Sequence, residues 1–294
     1  MKIYFKVADA YFHVVFTEPE DNRDLIGTCA PFHVRTEEGA AQPQMLSLTV
    51  GHRLVNAEPE GEEVGQFDCG GMMHGVYKIA DGYKFLLRNL DNEIACAMYA
   101  RDSFTRCEVS LFGDEKNRSF GMTNAMMIAF AYAGAANGIV LMHASVIMFE
   151  GRGYLFLGKS GTGKSTHTGL WLKHIENCEL LNDDNPAVRF FPDGRVIVYG
   201  SPWSGKTPCY KNKQVPVGAF VRLEQYPENI IAKENVLRSF ASILSSCSTM
   251  IWDKPSYNAI CDTVTGIVEH TKTFHLRCLP DEAAARLSNA TITR

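Results

Sequence analysis

The chain has no C-x-x-C pair, and its nine cysteines are an odd number. Both facts argue against a disulfide framework and fit reduced thiols in a cytoplasmic protein. It also has no long basic run: 29 Lys and Arg stand against 33 Asp and Glu, for a net charge of −4. Affinity for a phosphate backbone needs clustered cations, so nucleic acid is not an expected partner. The opening stretch, Met1 to Asp9, lacks the apolar block of a signal peptide and reads as a first strand. Residues 119–149 contain no Asp, Glu, Lys or Arg at all. Such a run invites reading as a membrane span, but Asn137-Gly138 divides it into an Ala- and Met-rich helical half and a β-like half. Neither half reaches the roughly eighteen unbroken apolar residues that a span needs. The expectation is a buried helix over residues 121–136, closed by Asn137-Gly138, then a buried strand, with no membrane partner.

What is present organises itself in two parts. A length of 294 residues holds one large or two ordinary domains. Residues 1–118 read as a β-rich region, with strands over 3–7, 11–16, 45–50, 75–79, 83–87 and 108–112. Asp81-Gly82, between two alternating runs, is a hairpin signal. His13, His33, His52 and His74 are scattered at spacings that suggest no metal site. This sheet is expected to extend or cover the second part, residues 119–294, which carries the chemistry.

That chemistry starts at Tyr154-Leu155-Phe156-Leu157, an apolar strand that runs into Gly158-Lys159-Ser160-Gly161-Thr162-Gly163-Lys164-Ser165-Thr166. The stretch fits G-x-x-x-x-G-K-[ST], the phosphate-binding loop, with a strand before it and a helix over 166–175 after it. Glycines let successive N–H groups turn inward around a β-phosphate at the helix start. Lys164 reaches β- and γ-oxygens, and the Ser165 hydroxyl is placed to ligand Mg²⁺. The strand ahead of the loop has its own partner. Residues 142–149, which include His143, form a strand, 150–153 a tight turn, and together with 154–157 they make a hairpin. An antiparallel neighbour for the loop strand predicts a mixed sheet rather than a purely parallel one.

Downstream, residues 178–181 form a strand that runs into Asn182-Asp183-Asp184-Asn185-Pro186, leaving two carboxylates at its end. One Asp of such a pair can hold Mg²⁺, directly or through water, while the other takes the proton of an attacking hydroxyl. The bland alternative is a polar turn capped by two acids. A second hairpin follows over 187–191 and 195–199, then a strand over 215–223, and the rest reads as mostly helical. Residues 200–207 satisfy the phosphate-loop pattern again, but Pro208 follows at once with no helical period. They are expected as a loop beside the first site rather than as a nucleotide loop of their own. His167 and His174 share a helix face without a third ligand, and no metal is expected there.

In this order, the residues resemble the fold shared by HPr kinase/phosphorylase and ATP-dependent phosphoenolpyruvate carboxykinase: a strand that starts near His143, the hairpin, the loop at 158–165, a helix, and Asp183-Asp184. The resemblance covers roughly residues 141–188. It implies an α/β fold with a mixed, partly antiparallel sheet. It further implies Asp183 as general base toward a hydroxyl, Asp184 as a metal residue beside Ser165, and His143 orienting or tuning Asp183. It also implies a catalytic Arg, for which Arg222 stands in a suitable place, with Lys206 as another cation. The glycine-rich signature that follows the acids in HPr kinase/phosphorylase is missing, and the chain is far shorter than the carboxykinase. The expectation is therefore a cytoplasmic ATP- and Mg²⁺-dependent kinase with a protein serine or a small molecule as acceptor, and the reading leaves room for a homo-oligomer. The alternatives are a nucleotide-binding regulatory protein without turnover and phosphoryl transfer of the carboxykinase type.

Overall fold

Alternation of apolar and polar residues makes β1 (Lys2–Val7) and β2 (Ala10–Phe16) an antiparallel pair in the computed structural model, which describes residues 1–18, 22–68, 73–205 and 207–294. The described chain is mixed α/β, with two mixed nine-stranded sheets and seven helices. It divides into two units, Met1–Asn137 with Met250–Ser256, and Gly138–Thr249 with Tyr257–Arg294.

In the first unit a 3₁₀ helix (Arg23–Phe32), β3 (His33–Val34) and α1 (Thr36–Ala40) precede β4 (Gln44–Val50), β5 (Glu62–Asp68), β6 (Met73–Ile79), β7 (Gly82–Arg88), β8 (Ile94–Arg101) and β9 (Arg106–Leu111). The sheet order is β3-β1-β2-β4-β9-β8-β7-β6-β5, parallel only at β2–β4 and β4–β9. Three of these strands, the two-residue β3 along with β5 and β8, had no counterpart among the strands expected from the sequence. In β8 four successive residues, Ala95 to Met98, are buried, so both faces are covered and no period of two is left to read. α2 (Glu115–Ala135) starts earlier than expected because Asp114 accepts a hydrogen bond from Asn117 N as its N-cap. Its Phe130 ring lies 5.7 Å from that of Phe12, so this helix packs with the first sheet. The boundary between units therefore falls after Asn137 and not at residue 118. No helix among the described residues is long and apolar enough to cross a membrane.

The second unit holds β10 (Ile139–Leu141), β11 (Ala144–Phe149), β12 (Arg152–Leu157), α3 (Lys164–His174), β13 (Glu179–Asp184), β14 (Ala187–Phe190), β15 (Val196–Tyr199) and β16 (Gln214–Gln225). After these come β17 (Ile230–Lys233), α4 (Val236–Leu244), α5 (Lys254–His270, from Tyr257 onward in this unit), β18 (Thr273–Cys278) and α6 (Glu282–Ile292). β12 has β11 antiparallel on one side and β16 parallel on the other, so the mixed sheet expected from the hairpin is present. β16 is the long member. Its first residues pair antiparallel with β15, and its later ones pair parallel with β12 and β18. Within the pairing with β12 the register slips by one, since Gly153 faces Val217 while Tyr154 faces Ala219, and Gly218 is left over. A Cβ on Gly218 would come within 2.6 Å of the Tyr154 ring, so this close approach excludes a side chain. β17 and β18 lie where helix was expected. Short strands set between helices are hard to separate from helical apolar runs. The core under α3 is built on Tyr154, Phe156 and Trp171 with Val221, Phe274 and Leu276, closed by Ala285 and Ile292 of α6.

Candidate functional site

Register brings the sequence-distant pieces together. Leu157, the last residue of β12, stands opposite Ala144 of β11, and Ala144 stands opposite Asp184 of β13. The start of the glycine loop, the residue after His143 and the second acid therefore lie in one row across three strands, spanning roughly 10 Å at the usual strand spacing. His143 is held just outside that row by its backbone, whose N–H donates to Ser246 O at 2.7 Å.

The loop passes into α3 through Gly163, the N-cap, at φ 105°. That left-handed geometry suits glycine, and because no atom lies within 4 Å of where a Cβ would be, the requirement is one of backbone rather than of room. No side chain caps this helix start, so its first N–H groups are left for solvent or a ligand. Thr162 braces the turn through its hydroxyl to Lys159 O at 2.7 Å.

Lys164 is buried, 7 % exposed. Its ammonium donates to Gly158 O at 3.0 Å and Lys159 O at 3.4 Å, and it lies 2.9 Å from His143 Nε2. Burial lowers its pKa, against the pull of Asp184 and then Asp183. Next to it the Ser165 hydroxyl donates to Asp183 Oδ1 at 2.9 Å. His143 Nε2 is also 3.2 Å from Asp184 Oδ1. One imidazole nitrogen either accepts from an ammonium or donates to a carboxylate, so Lys164 and Asp184 compete for it.

The two acids sit in different surroundings. Asp183 is 3 % exposed, and its carbonyl accepts from Gly205 N at 2.5 Å and Ser204 Oγ at 2.9 Å. Asp184 is more open and has φ 120°, a costly conformation for a residue with a Cβ. Neighbours hold it there: Asn185 Nδ2 donates to its Oδ2 at 2.8 Å, and Asn185 N donates to Asn182 Oδ1 at 3.0 Å. Asn182, fully buried, also donates to Ser201 Oγ at 3.2 Å and Trp203 O at 3.0 Å. The second glycine-lysine stretch is thus a brace for the acids, and no helix follows it.

Lys164, Ser165, His143, Asp183 and Asp184 therefore converge within one unit. Arg222 stands opposite Leu157 on β16, with its guanidinium 3.7 Å from Glu224. Among the described residues, no hydrogen bond or ion pair joins it to Lys164 or the acids. Lys206 lies outside the described residues. The sequence reading missed Asn182, Ser204 and Gln225, whose amide donates to Gly161 O at 3.2 Å. The repeat of the loop pattern pointed at Ser204, whereas nothing local marks the other two. Among the described residues no three His, Cys, Asp or Glu side chains gather as a metal group. A hydroxyl and one or two carboxylates are instead the oxygen donors that Mg²⁺ takes when phosphates complete its shell. No protein-family model and no curated protein sequence matches the chain.

Proposed function

We propose that the second unit is a phosphate-loop kinase, dependent on ATP and Mg²⁺, that passes the γ-phosphoryl group to a hydroxyl of a protein serine or a small molecule in the cytoplasm. The observation that carries this reading is the hydrogen-bonded run from the glycine turn to the acids: Lys164 against the loop carbonyls and His143, and Ser165 on Asp183. Kinship with the HPr kinase/phosphorylase and carboxykinase fold is part of the same proposal. It is supported by the antiparallel β11 set between the loop strand and the acid strand.

The open N–H groups at the start of α3 and the Lys164 ammonium bind phosphate oxygens and hold the donor in line with an acceptor. Lys164 leaves the loop carbonyls to do so, and His143 Nε2 is then free to donate to Asp184. Asp183 and Ser165 would hold Mg²⁺, which when bound neutralises charge on the transferring group. The resemblance gave Asp183 to the hydroxyl and Asp184 to the metal, but the contacts favour the reverse. Asp183 is buried and tied to Ser165, while Asp184 is accessible and paired with His143, as a proton acceptor should be.

The experiment is phosphoryl transfer from Mg·ATP to acceptors in cell extract, scored against Lys164→Ala, with nucleotide affinity measured alongside. Asp184→Asn is expected to lower transfer by about 10²- to 10⁴-fold and to keep Mg²⁺-dependent binding. Asp183→Asn is expected to remove the Mg²⁺ dependence of binding. Unchanged transfer in Asp184→Asn refutes the assignment, and tight binding with no product in any extract makes the protein a nucleotide-binding regulator.

A further inference from the structure

The second glycine-lysine stretch brings a hydroxyl of its own to the acids. Ser204 forms an antiparallel bridge with Asp184, and its Oγ lies 2.9 Å from Asp183 O and 2.6 Å from Thr207 O. Thr207 therefore stands two hydrogen bonds from the backbone of the buried acid. A Cβ on Gly205 would come 3.0 Å from Asp184 Cβ, and without one the loop lies directly against that side chain.

The same loop is tied down again a little further on. The Cys209 thiol donates to Leu181 O at 3.4 Å, and Lys211 Nζ donates to Leu180 O at 2.6 Å. The loop thus runs antiparallel to β13, which ends its sheet and pairs with β11 alone. Between the two ties, five residue steps on the loop answer two on the strand, from Asp183 to Leu181. Two strand steps cover about 7 Å, whereas five extended steps would reach about 17 Å. The surplus is slack beside the acids, and Thr207 and Pro208 within it are exposed.

Other hydroxyls nearby are spent on the fold. Ser165 donates to Asp183 Oδ1, Ser201 Oγ meets Asn185 O at 2.6 Å, and Ser204 is held as above. The Thr207 hydroxyl has no hydrogen-bond partner among the described residues, and only its carbonyl is engaged. Asp184, the open acid paired with His143, is the proton acceptor beside it.

We infer that Thr207 is an acceptor built into the protein: the second unit phosphorylates its own Thr207 in cis. The inference rests on the kinase reading above and adds to it a defined hydroxyl that travels with the site. In the step, Thr207 Oγ1 bonds to the γ-phosphorus while the bond from that phosphorus to the β,γ-bridging oxygen breaks. The nucleoside diphosphate leaves with the electron pair, and the hydroxyl proton passes to Asp184. Tethering makes the transfer unimolecular, so a loop that reaches the phosphate in a small fraction of its conformations still outruns a dilute external acceptor.

The test incubates the purified full chain with Mg·ATP and no other acceptor, and follows its intact mass. A gain of one phosphate per chain is expected, mapped to Thr207 by peptide fragmentation, at a rate that does not change when the protein is diluted. Lys164→Ala and Asp184→Asn should not acquire it. Thr207→Ala should lose the mark, and Thr207→Ser, which restores a hydroxyl, should carry it. Nucleotide binding by Thr207→Ala, which keeps the carbonyl that meets Ser204, checks that this variant is folded. A mark on another residue, one that persists in Lys164→Ala, or none while acceptors in cell extract are phosphorylated overturns the inference; the last of these leaves the kinase reading standing. A rate that rises in proportion to protein concentration places the transfer between copies and overturns the assignment in cis. No phosphate on the chain and none on any acceptor overturns the inference and the kinase reading together.

Discussion

His167 offers a measurement whose size can be worked out beforehand. It is 3 % exposed, its ring centroid is 4.8 Å from that of Phe156, and Nε2 is 3.0 Å from Ser288 Oγ. That hydroxyl donates to Ala285 O and accepts from Trp171 Nε1, which leaves it one acceptor site for an imidazole N–H. The fold thus takes His167 neutral, with the proton on Nε2. A second proton would place a charge in the core, and burial accordingly lowers the pKa from 6.5 to about 4. The folded value lies below the unfolded one, so between them the unfolded chain binds more protons. Stability should fall as the pH drops through about 6.5 and level off below about 4. The full gap corresponds to about 3 kcal/mol, and roughly 2 kcal/mol of it is lost between about pH 7 and about pH 4.5. In His167→Gln the amide can still donate to Ser288 but cannot titrate. Urea unfolding followed by tryptophan fluorescence at several pH values should show the wild type losing about 2 kcal/mol more than the variant on acidification. Parallel losses in the two proteins would refute a neutral, buried His167.

Two further substitutions separate local geometry from chemistry. Asp184→Gly relieves the positive φ at that position, so a gain of about 1 kcal/mol in unfolding free energy is expected, net of the extra chain entropy, together with loss of transfer. A loss of stability instead would show that the Asn185 and His143 contacts outweigh the strain. Asn182→Ala takes the acceptor from Asn185 N and one of two donors from Trp203 O, which keeps the Ser201 hydroxyl, and should cost roughly 1 to 2 kcal/mol by denaturant titration. A cost near zero would mean that solvent reaches these groups.

Much of the site was legible because its signals are local. Glycines at fixed offsets, an apolar strand before them and two acids before Pro186 each mark themselves within a few residues, and the hairpin of β11 and β12 announced a mixed sheet. The different surroundings of the acids were not legible, since Asp183 and Asp184 are neighbours in the chain. Only the alternation of β13 turns one toward Ser165 and leaves the other by His143. The membership of α2 escaped for a related reason: beyond Arg118 the helix carries no charge and shows no polar face, and so gives no sign of which sheet it covers.

The leftover Gly218 in β16 has an effect out of proportion to its size. Were it to pair with Tyr154 instead of bulging, Val221 would take the place of Arg222 opposite Leu157, and every later side chain of the strand would change faces. Glu224 and Gln225 would trade sides of the sheet, and the amide that now clips the loop would point away from it. A single skipped residue therefore acts as a phase-setter, and the crowding of the Tyr154 ring against it keeps that phase locked.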